Sequence, residues 1–176
     1  ADIKKYNPDA IKIINDNKDI FEIILRPWSH DISLYRKDRL FIYNVELGIK
    51  SIKSEFEFVS NYYLAPEFMI TSRQIELIKN MGIEAIFINP DRYQNDIKRR
   101  IIPSPHLVYG TSGAAIKCIT INGSSTQKYL SSCQLNDPTI WDQFIQYFPD
   151  DLIFSWRDGE SFLLIPDGLA REESWL

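Results

Sequence analysis

Gly110-Thr111-Ser112-Gly113-Ala114 has the G-x-S-x-A outline of a nucleophile elbow, with His106 just upstream as a candidate base. An elbow needs a helix after the serine, so that the hydroxyl stands clear of the sheet. Here Ala115-Ile116-Lys117-Cys118-Ile119-Thr120-Ile121 favours a strand, so the segment reads as a hairpin loop rather than a nucleophile. Metal binding would draw on His30, His106, Cys118 and Cys133, none of them at C-x-x-C or H-x-x-x-H spacing, and no metal site is expected. Glycine is sparse at seven residues, and no G-x-G-x-x-G or Walker-type loop brings backbone N–H groups to a phosphate. No cofactor is expected either.

Charge carries the strongest chemical signal. Lys plus Arg is 20 against 24 Asp plus Glu, a net charge of −4, which opposes a surface built to neutralise nucleic-acid phosphates. The densest basic run, Lys98-Arg99-Arg100, ends a predicted helix, where cations complement the dipole. Tyr62-Tyr63 and Phe56 with Phe58 could stack on bases, but aromatics at such spacing read as core. Residues 134 to 176 hold nine acids against Arg157 and Arg171, together with Trp141, Trp156 and Trp175. An acidic edge made of Asp150, Asp151, Trp156, Asp158 and Glu160 would steer a basic protein partner and offer it an aromatic anchor. The expectation is a non-catalytic inhibitor of the bacterial immunity or antitoxin type that neutralises a basic toxin.

Two other functions fit the same sequence. One is a hydrolase-like enzyme whose site is assembled from dispersed residues such as His106, Ser112, Asp91 and Glu84. The other is an oligomeric structural subunit with the aromatic segment 56 to 69 buried between copies. Ser124-Ser125-Thr126 and Glu55-Phe56-Glu57 stand in the reverse of the order found in ADP-ribosyl transferases, so that family is rejected.

The elements that must position these residues are marked by punctuation. Asn7-Pro8-Asp9 places a cap, a proline at the first helical position and an acid in the first turn, predicting a helix over 8 to 16. Residues 20 to 26 and 39 to 45 are apolar and read as strands, while 46 to 70 fits no clean period. Thr71-Ser72-Arg73-Gln74 has capping-box spacing and Gly82 a left-handed stop, predicting a helix over 72 to 81 and a strand over 83 to 88. Asn89-Pro90-Asp91 and Asp137-Pro138 open two more helices. Residues 106 to 110 with 114 to 121 suggest one hairpin, and those flanking Asp158-Gly159 a second.

Together these elements predict a mixed α+β fold with an antiparallel-rich sheet and about four short helices, in one domain over 1 to 176. Two cysteines outside any framework spacing, no long apolar run and a polar start of chain lead to an expected cytoplasmic location with free thiols.

Overall fold

The computed structural model describes residues 8–31, 35–89, 105–121, 137 and 139. The chain divides into two compact units, Ala1–Ile88 with Pro105–Ile119, and Asn89–Ser104 with Thr120–Leu176.

In the first unit, helix α1 (Pro8–Asp16) starts at the predicted proline. The segment that follows becomes extended and contributes a single parallel bridge, Leu25 to Tyr63. Leu25 N–H donates to Tyr62 C=O at 2.8 Å, and Leu64 N–H donates to Leu25 C=O at 2.9 Å. The strand expected over 39 to 45 is instead the first half of a long helix, α2 (Asp38–Glu55). Its buried positions, Phe41, Val45 and Gly48, recur at spacings of four and three, a helical period that β-branched neighbours disguise.

The segment that showed no clean period resolves into the end of α2, strand β1 (Tyr62–Leu64) and a single 3₁₀ turn (Pro66–Phe68). Helix α3 (Ser72–Asn80) then opens on the expected capping box. Thr71 Oγ1 accepts from Gln74 N–H, and Gln74 Oε1 accepts from Thr71 N–H. Strand β2 (Ala85–Ile88) follows, and β3 (His106–Tyr109) with β4 (Ala115–Thr120) forms the predicted hairpin. Gly113 turns it at φ +85°, a conformation that side chains rarely adopt.

The sheet order is β1-β2-β4-β3. It is mixed rather than antiparallel-rich, because β1 and β2 are joined through α3 and pair in parallel, leaving β3 with β4 as the antiparallel pair. Three α-helices stand among the described residues. Leu25, Phe41, Val45, Tyr63, Ile78, Ile86 and Ile116 form the core. Arg73 of α3 donates to Asp38 of α2 at 2.9 and 3.0 Å, tying the two helices together at their exposed edge.

In the second unit, Asp137 Oδ1 accepts from Thr139 N–H at 3.0 Å, the capping contact expected where Asp137-Pro138 opens a helix. The helix expected after Asn89, most of the one after Asp137 and the Asp158-Gly159 hairpin lie outside the described residues.

Candidate functional site

Parallel strands place the loops that follow them on one edge of a sheet, where α/β proteins build their sites. Here the extended residues ending at Leu25, and β1 ending at Leu64, run in parallel. Arg26 to Asp31 follow the first and Ala65 to Phe68 the second.

Pro27 ends the first segment, and the chain settles onto α2. Trp28 N–H donates to Asn44 C=O at 2.9 Å, and Ser29 N–H donates to Asn44 Oδ1 at 2.9 Å. Arg36 donates to Asp31 Oδ2 at 2.9 Å. Gly48 makes this seating possible, because a Cβ there would lie 2.0 Å from the carbonyl oxygen of Arg26. Helix α2 therefore fixes the loop through its buried face and one amide side chain.

On the second loop Glu67 has φ 52° and ψ 19°, and Phe68 has φ 57°. Two successive non-glycine residues in the left-handed region are strained by about 1 to 2 kcal/mol each. Burial of Ala65, Pro66 and Phe68 on either side holds them there. Strain of this kind persists where the surroundings over-determine it, often at functional sites. Its result here is to turn the Glu67 side chain out of an otherwise buried tetrapeptide.

The two loops meet through His30. Its Nε2 lies 3.2 Å from Glu67 Oε1, and its Nδ1 lies 3.3 Å from Arg26 Nη2. A guanidinium can only donate, so Nδ1 is the acceptor, and Nε2 carries the proton given to the carboxylate. Arg26, His30 and Glu67 thus form a directed relay that orients one carboxylate. The Glu67 side chain is 37% exposed and that of His30 59%. Tyr63 lies buried in β1 with no partner for its hydroxyl. Burial pushes its ionisation far above the ordinary phenol range, while the Arg26 charge opposes that shift and the Asp31 charge adds to it. Tyr63 is therefore a neutral phenol and offers no base.

Neither Glu67 nor the relay is visible in the sequence, where His30 stands only as an isolated candidate metal ligand. The available signal is positional: an acid in the short connection between the apolar triplet Tyr62–Leu64 and the Thr71 cap of the next helix. The dispersed set is not brought together. Ser112 sits in the hairpin turn, where it joins Thr111 and Arg73 around the Glu76 carboxylate. Glu84 precedes β2 and accepts from Asn61 at 3.3 Å, His106 opens β3, and Asp91 lies outside the described residues. The expected docking residues Asp150, Asp151, Trp156, Asp158 and Glu160 also lie outside them. Among the described residues no three His, Cys, Asp or Glu side chains gather closely enough to hold a metal ion, and no helix is long and apolar enough to cross a membrane.

Residues 2–162 match the family model of glycosyl hydrolase family 57. The chain belongs to glycosyl hydrolase family 57. Membership overturns the inhibitor, immunity-protein and antitoxin reading, which rests on net charge and on missing motifs. The alternative of an enzyme with a site assembled from separate loops agrees better with the family. The fold resembles that of the 4-alpha-glucanotransferase from Thermococcus litoralis at a TM-score of 0.70 and 13% identity. That likeness covers 91% of this chain and 25% of the other, so this family 57 chain spans a quarter of that protein's length. Among curated proteins none matches.

Proposed function

We propose that this protein acts on glycosidic bonds of an α-glucan, with Glu67 as the carboxylate that attacks the anomeric carbon. The observation that carries this reading is the Arg26–His30–Glu67 relay on a strained turn at the carboxyl edge of parallel strands. Family membership supports the reaction class, and the fold likeness to a 4-alpha-glucanotransferase supports the substrate class.

A retaining glycosidase needs an oriented nucleophile and a second carboxyl group as acid. Glu67 accepts a hydrogen bond from His30, so it is presented as a carboxylate rather than as a proton donor. In the first half-reaction its oxygen bonds to the anomeric carbon, while the bond to the leaving oxygen breaks and that oxygen takes the acid's proton. In the second, a water or sugar hydroxyl attacks the same carbon and returns its proton to the acid's conjugate base, freeing Glu67. Water completes hydrolysis and a sugar hydroxyl completes transfer. Among nearby described carboxylates, Asp31 is tied to Arg36 and Asp38 to Arg73.

Kinetics on maltooligosaccharides test this. Glu67→Gln keeps the shape and removes the nucleophile, and should lower turnover by about a thousandfold or more with the circular dichroism unchanged. His30→Ala removes only orientation and should cost roughly ten- to a hundredfold in kcat. Undiminished turnover in Glu67→Gln would overturn the assignment.

A further inference from the structure

The Arg26-to-Asp31 loop serves a second place besides Glu67. Trp28, Ser29 and Asp31 line a cleft of about 230 Å³ together with Arg36 and with Tyr43 and Asn44 of α2. Two rings stand in water there, Trp28 at 55% and Tyr43 at 60% exposure. Leaving large aromatic surfaces solvated forgoes the stabilisation that burial would give, so their placement calls for a partner. Neither ring sits on a loose segment. Trp28 is fixed by its N–H bond to the Asn44 carbonyl, and Tyr43 is the preceding residue on the same helix.

The polar lining is balanced in charge. Asp31 and Arg36 are paired at 2.9 Å, and the Ser29 hydroxyl lies 3.2 Å from Asn44 Oδ1. Flat apolar faces beside a neutral set of donors and acceptors match a pyranose, which has an apolar C–H face and a rim of hydroxyls that both give and accept hydrogen bonds. A phosphate or other anion would meet the Asp31 carboxylate, and an ammonium group the Arg36 guanidinium. Ser29 and Asp31 flank His30 in the chain, about 3.8 Å away from Cα to Cα. The cleft is therefore built on the same loop that carries the residue orienting Glu67.

The geometry points to a sugar-binding subsite in the Trp28–Tyr43 cleft that takes a neutral glucosyl unit of the same chain whose bond lies at Glu67. This rests on the glycoside reading proposed above. Binding of maltose and of maltoheptaose to the full chain, measured by calorimetry, tests it alongside turnover of a short aryl α-glucoside. Trp28→Ala and Tyr43→Ala should each weaken maltoheptaose about five- to tenfold, with little change for the aryl glucoside, which is too short to reach the cleft. Both substitutions fall at exposed positions, and circular dichroism checks the fold. Unchanged maltoheptaose affinity in both variants overturns the subsite and leaves the role of Glu67 standing. If the two variants lose affinity while Glu67→Gln keeps full turnover, the subsite is upheld and the nucleophile assignment fails. Loss of aryl glucoside turnover equal to the loss of maltoheptaose affinity would also overturn the subsite, since the effect would then belong to the reacting centre.

Discussion

Gly48→Ala adds one methyl group, on the buried face of α2, where the helix supports the loop that carries Arg26 and His30. At an open helical position this change stabilises by about 1 kcal/mol through helix propensity. At position 48 the new Cβ would stand 2.0 Å from the Arg26 carbonyl oxygen and 2.7 Å from both the Pro27 carbonyl carbon and the Trp28 nitrogen. A carbon-to-oxygen contact relaxes near 3.4 Å, so backbone on one side must move by roughly 1.4 Å. All three obstacles are main-chain atoms, so no side chain can rotate away to make room. Overpacking of this kind costs about 1 to 3 kcal/mol, and with three main-chain obstacles the upper end applies, so after the propensity gain a net loss of about 2 kcal/mol is expected. The displaced segment also holds the His30 end of the relay, and a misplacement of about 1 Å near a reacting centre costs on the order of a hundredfold in rate. Urea denaturation and maltooligosaccharide turnover would be measured on Gly48→Ala, with Lys50→Ala at an exposed position of the same helix as the control. A lowered midpoint together with a fall in kcat larger than the stability loss explains is the expected result. Wild-type midpoint and turnover in Gly48→Ala would refute the idea that α2 seats the Arg26-to-Asp31 loop at contact distance.

Glu67→Gly should be more stable than Glu67→Ala by about 1 kcal/mol, because both lose the His30 contact and only glycine accepts φ 52° without strain, while both lack turnover; equal midpoints in the two variants would show that the turn is unstrained. The Glu76 carboxyl is held below the usual range, chiefly by the Thr111 hydroxyl and further by Ser112 and Arg73, against a smaller opposing effect of burial. Its contribution to stability is therefore present above the ordinary glutamate pKa and lost as pH falls through the lowered one. Thr111→Val should reduce the drop in denaturation midpoint between neutral and acidic pH, and an identical pH profile in the two proteins would remove Glu76 from that role.

Local structure was legible wherever side chains signal the backbone directly. Pro8 with Asn7, the Thr71 capping box and the Gly113 turn each act within a few residues, and α1, α3 and the β3–β4 hairpin lie where they were expected. Strand direction was not legible, because apolar segments look alike whether their neighbours run parallel or antiparallel, and the joining of β1 to β2 through α3 shows only in three dimensions. Helix α2 was misread because Phe41, Val45 and Gly48 carry its period among the β-branched and aromatic residues Ile42, Tyr43 and Ile49. The site was hidden for a related reason. Arg26, His30 and Glu67 are ordinary surface residue types separated by up to 41 positions, and only the parallel bridge between Leu25 and Tyr63 brings their loops together. Acidity near the chain end drew attention in their place, since a cluster of charges is visible in one dimension and a relay is not.

Incubation with an activated 2-fluoro glucoside, followed by peptide mass spectrometry, tests the central assignment most directly, because such a sugar lets the covalent intermediate form and slows its release. Glu67 as nucleophile predicts one glucosyl adduct on the peptide containing Glu67, lost in Glu67→Gln and slower to form in His30→Ala. An adduct on another carboxylate, or steady turnover of the fluoro sugar with Glu67 never labelled, would contradict it.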